Sequence, residues 1–241
     1  MRNSIITLLA LALLGCGGGG VGIILPPGNQ QPVLLAAQRY FPSPVGAVYS
    51  YRVTSVDENV GLSAFDGEEM TYDVQANPLG AGVYYNLQDN ADAVIGPAFN
   101  GLRFIGCLKE VGGTTSGDTT VSTGNQPEVL PAVLTGLGQQ WQSNFTTLRT
   151  NSKHFLLSGT SRLAAVEDVT IGATTLQDCL RVDVQFNYGM DRDGDGVNDL
   201  ELPTAMTGSY WLAPDVGVVQ GVLRIAGVTV CEVRLVSASI P

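Results

Sequence analysis

Histidine is almost absent from this chain: His154 is the only one in 241 residues. Any Ser-His-Asp triad or multi-histidine metal site would have to run through it. It stands before the apolar run Phe155-Leu156-Leu157, with no nucleophile elbow or HExxH pattern nearby, and so reads as a structural or surface residue. Basic residues are scarce too. Twelve Lys and Arg stand against twenty-two Asp and Glu, a formal charge of −10. None of the cations cluster, which excludes a nucleic-acid partner, since phosphate binding needs a basic footprint. Helical periodicity is missing as well, and the only long apolar run is Ile5 to Leu14. That run is about ten residues, too short to serve as a membrane span in a mature protein.

What the run can do is export the chain. Met1-Arg2, the apolar stretch and a small residue before a cut have the form of a secretory signal. Leu13-Leu14-Gly15-Cys16 resembles the bacterial lipobox, and the resemblance implies cleavage after Gly15, with diacylglycerol on the Cys16 thiol and a further acyl chain on its new amino terminus. Each buried methylene contributes about 0.8 kcal/mol, so two or three chains, palmitate among them, anchor a protein without a transmembrane helix. Gly17 stands where an inner-membrane retention signal places Asp, which by the same resemblance implies the outer membrane. The expected organisation is a signal over residues 1–15, a lipid-anchored flexible tether over 16–38 and a β-rich domain over 39–241. The tether reading rests on Gly17 to Gly20 and the Pro- and Gln-bearing segment Pro26 to Pro32, which have little apolar surface to bury.

Beyond the leader the chain is built of short runs rich in Val, Tyr, Thr and Leu, broken by Gly, Pro, Asn and Asp. This spacing predicts an all-β fold, mostly antiparallel, as a curved sheet or a sandwich. Strands are expected at Val48–Thr54, Met70–Gln75, Val83–Asp89, Ala93–Phe99, Leu102–Glu110 and Trp141–Arg149. They continue at Lys153–Val166, Thr174–Tyr188, Ala205–Leu212, Val216–Ile225 and Val228–Ser237. Asn100-Gly101 signals a two-residue hairpin, and Gly112 to Gln126, rich in Gly, Thr and Ser, reads as a loop. A faint echo suggests two related halves, 39–126 and 127–241. Phe41-Pro42 leads to Gly46 and then Tyr49; Leu130-Pro131 leads to Gly138 and then Trp141.

One motif carries sharp chemistry, Asp191-Arg192-Asp193-Gly194-Asp195-Gly196-Val197-Asn198-Asp199. Carboxylates at alternate positions of a tight loop converge on one point, and four Asp within nine residues repel one another unless a cation sits among them. The loop resembles the calcium loops of EF-hands, dockerins and thrombospondin type 3 repeats. That resemblance implies Ca²⁺ held by Asp191, Asp193, Asp195, the carbonyl of Val197 and Asp199. Leu202 stands where an EF-hand has its bidentate Glu, with Glu201 one residue early as a possible further ligand. Weak, structural binding is therefore expected.

Cys16 apart, three cysteines remain, and an oxidising envelope allows one bridge; Cys179 with Cys231 is the expected pair, with burial as reduced thiols the alternative. The pattern Val169 to Val182, then Gly208-Ser209-Tyr210-Trp211-Leu212-Ala213-Pro214-Asp215-Val216-Gly217, with the lead-in Tyr40-Phe41-Pro42, is similar to one in many uncharacterised bacterial lipoproteins. It implies a β-rich envelope domain and no reaction. The function expected is thus a non-catalytic, calcium-binding envelope lipoprotein with a binding or scaffolding role, its protein or glycan partner unspecified. The alternative is a carrier of lipid or another apolar ligand in a half-barrel.

Overall fold

The computed structural model describes residues 21–24, 33–55, 67–88, 95–100, 103–111, 114–121, 128–131, 133–142, 145–149, 154–191, 200–201 and 205–241. The fold is all-β. In chain order its strands are β1 (Val21–Ile24), β2 (Val33–Ala36), β3 (Val48–Ser55), β4 (Glu69–Ala76), β5 (Val83–Leu87), β6 (Ile95–Asn100), β7 (Arg103–Val111) and β8 (Thr114–Val121). There follow β9 (Gln140–Gln142), β10 (Phe145–Arg149), β11 (His154–Ile171), β12 (Thr174–Asp191), β13 (Leu200–Glu201), β14 (Met206–Ala213), β15 (Gly217–Ile225) and β16 (Val228–Ser239). A 3-10 turn, Ala37–Tyr40, precedes β3. Among the described residues no helix is long and apolar enough to cross a membrane.

β1 and β2 form a separate antiparallel ribbon. All other strands belong to one curved antiparallel sheet with the order β13-β12-β14-β15-β16-β3-β4-β5-β6-β7-β8-β10-β11-β9. The order follows from a run of hairpins, as the turn residues predict, with one long-range join where the last strand, β16, pairs with β3. β11 and β12 also pair with each other over nearly their whole length, which brings the two arms of the sheet together. The arms touch through three residue pairs between β8 and β10, and among the described residues β9 pairs with β11 alone.

Alternation puts one face of these strands inside the curve. Leu163, Leu180, Val182, Phe186, Tyr210, Leu212 and Leu223 are buried there, together with a cluster of aromatic rings around Phe41 and Phe99, whose centroids lie 5.3 Å apart edge to face. Two non-strand segments fill the space the curve encloses. From 37–47 come Ala37, Tyr40 and Phe41; from 128–139 come Val129, Leu130 and Leu134; all six are buried in the same core cluster. Tyrosine hydroxyls fasten them. Tyr49 donates to the Pro42 carbonyl at 3.2 Å and Tyr210 to the Val129 carbonyl at 3.0 Å. Burial pushes the Tyr40 and Tyr49 hydroxyls up to about 12 and raises those of Tyr51, Tyr72 and Tyr85 as well.

Three expectations need correction. The stretch Gly112 to Gln126 contains a strand, β8, paired with both β7 and β10; its threonines are β-branched and suit a pleated surface even without an apolar alternation. β6 runs through Asn100, which pairs with Arg103 after a register shift, so Asn100 belongs to the strand and not to the turn expected at Asn100-Gly101. The segment 16–38 read as a tether includes the β1–β2 ribbon, and its last two residues open the 3-10 turn in which Ala37 is buried. Strands of both sequence halves share one sheet and one core cluster.

Candidate functional site

On the outer face of β9, β11, β12, β14 and β15 the sheet forms a polar groove of about 650 Å³. Register builds it. Arg162 of β11 stands opposite Asp183 of β12, Asp183 opposite Ser209 of β14, and Thr207 of β14 opposite Arg224 of β15. Directly opposed residues share a face, so four strands bring together side chains up to sixty-two positions apart in sequence.

The groove's polar groups hold one another. Asp183 sits at the centre, its Oδ2 accepting from Arg162 Nη2 at 3.3 Å and its Oδ1 from the Ser209 hydroxyl at 2.9 Å. Arg181 Nε lies 3.3 Å from Asp183 Oδ1, but its N–H is not aimed at that oxygen, so this buried nitrogen has no hydrogen-bond acceptor among the described residues. Arg181 Nη1 reaches Glu167 at 3.5 Å, and Glu167 also accepts from Trp211 Nε1 at 2.6 Å. Arg224, half-buried, has no carboxylate partner among the described residues. Exposed or half-exposed ion pairs contribute roughly 0–1 kcal/mol each; their use here is to fix the orientation of planar donors and acceptors on a rigid sheet. Such a surface can hold a polar ligand by several simultaneous hydrogen bonds.

The residues singled out from sequence are distributed differently. Cys16, Asp193, Asp195, Val197 and Asp199 lie outside the described residues. Asp191 is the last residue of β12, opposite His154, and Glu201 ends β13, opposite Gly189. The acidic loop therefore connects the two strands of a short hairpin in which Met190 pairs with Leu200, and the hairpin stands at one end of the sheet order. Among the described residues no cluster of metal-ligating side chains occurs. Cys179 and Cys231 are buried free thiols, which corrects the expected bridge. β12 and β16 are separated in the sheet by β14 and β15, three strand spacings or ~14 Å, whereas a disulfide needs Cα atoms within about 7 Å. Burial pushes Cys179 up to about 11 and Cys231 up to about 12. The adjacent carboxylates Glu167 and Asp168 have separate partners, Asp168 accepting from the Asp178 amide at 3.2 Å.

The groove was missed because its members look like ordinary outward positions of separate strands. The available signal was scarcity: three of only twelve basic residues occupy it.

No family model matches the chain, and no curated protein matches it. Three solved structures are similar. One is a chain provisionally described as a lipoprotein from Parabacteroides distasonis, with 15% identity and a TM-score of 0.46, covering 83% of this chain and 98% of that one. Another is provisionally described as an exported protein with a YmcC-like fold from Bacteroides fragilis, with 14% identity and a TM-score of 0.45 over the same shares. The third is the hypothetical lipoprotein YmcC from Escherichia coli, with 13% identity and a TM-score of 0.42, covering 97% of each chain.

Proposed function

We propose that the chain is a non-catalytic binding module of the bacterial cell envelope. Acyl chains on Cys16 hold it on the outer membrane, and Ca²⁺ staples the hairpin loop from Asp191 to Asp199. The observation that carries the binding role is the outer groove, where Asp183, Ser209, Arg162 and Arg181 are fixed by mutual contacts and Arg224 has no carboxylate partner among the described residues. The address rests on Gly15-Cys16 at the end of the apolar run. The calcium reading rests on the alternating Asp residues and on their place between two paired strands, where a bound ion would tie the hairpin shut. A carrier of apolar ligands finds less support, since Phe41, Leu130 and Leu134 occupy the inside of the curve.

Labelled palmitate fed to cells expressing the full chain tests the anchor. Incorporation that disappears in Cys16→Ser, with loss of the protein from the detergent-dependent membrane fraction, is the expected result; an unlabelled wild-type chain overturns the anchor. Calorimetry tests the staple. Binding is expected at about 10⁻⁴ to 10⁻³ M, the range of extracellular calcium modules, and should vanish in Asp193→Ala with Asp195→Ala. No heat at millimolar calcium together with an unchanged thermal melt would reduce the loop to a solvated turn.

A further inference from the structure

The outer groove has a charge opposite to that of the whole chain. Arg162, Arg181 and Arg224 against Asp183 and the Glu167 that Arg181 also reaches leave it with an excess of one positive charge in a protein of net charge −10. Arg162 and Arg181 are engaged with Asp183, whereas Arg224, half-buried on the same face, has no carboxylate partner among the described residues. That is an anion-accepting position. At about 650 Å³ the groove is the size of a drug-like ligand's site, much larger than a lone small anion requires. Arg162 on β11 and Arg224 on β15 stand three strand spacings apart, or ~14 Å, so one ligand touching both must be extended.

Asp183 narrows the chemistry. A bare polyanion would meet a carboxylate in the middle of its path, at a separation where like charges repel. A ligand with hydroxyl donors between its anionic groups would instead give Asp183 hydrogen bonds, and could exchange them with Thr207 and Gln185 on the same wall. We propose that the groove binds an acidic oligosaccharide, its carboxylates taken by Arg224 and Arg162 and its hydroxyls by Asp183, Thr207 and Gln185. The proposal rests on the binding-module reading above and specifies its ligand class.

The test uses the mature, acylated chain in detergent and titrates it with an oligogalacturonate. A maltooligosaccharide of equal length, a polyglutamate peptide and inorganic phosphate serve as comparisons. Oligogalacturonate should bind, weaken as ionic strength rises, and bind at least about tenfold more tightly than the neutral saccharide, the loss expected for one charge-assisted hydrogen bond. Arg224→Ala should lose about tenfold for the same reason while its thermal melt stays that of the wild type; Arg162→Gln should lose affinity too. No oligogalacturonate binding at millimolar concentration overturns the proposal, and so does equal binding by Arg224→Ala. Polyglutamate or phosphate binding as tightly as oligogalacturonate overturns it as well, in favour of a peptide or simple anion site. Palmitate on the same preparation reads the anchor independently, so a labelled protein that binds no saccharide sinks this inference alone.

Discussion

The lead-ins at Gly46 and Gly138 are built alike and packed differently. In the first, Ala47 N–H donates to the Pro44 carbonyl at 3.1 Å and Gly46 has φ +93°; in the second, Gln139 N–H donates to the Gly136 carbonyl at 3.2 Å and Gly138 has φ +88°. Both are turns of the type II kind, with the left-handed residue at the third position. Each then docks on one buried strand residue by a reciprocal pair of bonds. Gly46 donates to Val74 and Val74 to Ala47, at 2.9 and 2.8 Å; Gly138 donates to Leu163 and Leu163 to Gln139, at 2.8 and 2.9 Å. Three residues past each glycine an aromatic ring ties the lead-in back, Tyr49 to the Pro42 carbonyl and Trp141 Nε1 to the Glu128 carbonyl. Even the exposed apolar residue of each turn corresponds, Val45 and Leu137. The packing is where they part: within the one core cluster they share, Phe41 makes ring contacts with Tyr85 and Phe99, while the second lead-in contributes the aliphatic side chains Leu130 and Leu134. A backbone device set by one glycine is thus separable from the side chains that bury its neighbours.

The packing difference gives the largest expected effect. Phe41 and Leu130 each precede the lead-in proline and are buried. Phe41→Ala should cost about 3–5 kcal/mol and Leu130→Ala about 2–5 kcal/mol, with Phe41 the costlier because its edge-to-face contacts add roughly 0.5–1.5 kcal/mol. Urea unfolding at unchanged slope measures both. A Leu130→Ala chain as stable as the wild type would mean that the second lead-in is not held by the core.

The backbone device should respond equally in the two places. A Cβ on Gly46 would meet only Pro241 Cγ at 4.0 Å, and one on Gly138 would meet nothing within 4 Å. Space is therefore no obstacle, and the penalty for Gly46→Ala or Gly138→Ala is the left-handed backbone alone, roughly 1–2 kcal/mol. Values that differ by more than about 1 kcal/mol, the width of that range, would break the correspondence.

How far such features can be read without coordinates depends on whether the physics is local. β3, β4, β14, β15 and β16 follow the expected ranges to within two residues because their alternation or apolar run is a property of neighbouring positions. The turn at Pro214-Asp215 is equally local, and Asp215 has φ +63°. β8 was illegible because Thr114–Val121 has no apolar alternation; its pairing comes from β7 and β10. The groove was illegible for a related reason. Asp183 meets Arg162 and Ser209 only after two strand registers are set, and no spacing in the sequence encodes a register. The lead-in echo lay between these cases: the glycine and the aromatic residue were visible, but Val74 and Leu163, which receive them, were not.

The ring donors should come next in size. Tyr49→Phe removes one hydrogen bond to a lead-in carbonyl, worth about 0.5–1.5 kcal/mol, and keeps the packed ring. Trp141→Phe removes the corresponding bond to Glu128 and some volume besides, so it should cost at least as much. Hydrogen exchange sharpens the comparison: Tyr49→Phe should speed exchange at 37–47, and Trp141→Phe at 128–139. Exchange that rises equally in both segments for either substitution would show one cooperative unit in place of two separate fastenings.

The smallest effect belongs to a contact that the first lead-in carries in addition. Arg39 in the 3-10 turn grips Asp215 with Nε at 3.0 and 2.8 Å from its two oxygens and Nη2 at 2.7 Å, while the Asp215 amide donates to the Arg39 carbonyl. The hydrogen bonds from Arg39 hold the Asp215 carboxyl below its ordinary value. A carboxylate lowered in the folded state adds stability above its unfolded value, about 3.9, and that contribution fades as pH falls through the lower folded value. Because the two side chains are 52% and 65% exposed, solvent screens the pair and the effect should fall below that of Tyr49→Phe. Asp215→Asn isolates it, since Asn tolerates the left-handed backbone and leaves the amide bond in place. Thermal melts of wild type and variant should differ slightly at neutral pH and converge in acid, with high salt shrinking the neutral gap. A gap as large as that of Gly46→Ala, or one that persists in acid, would show that the side chain of Asp215 shapes the turn itself and that its charge is incidental.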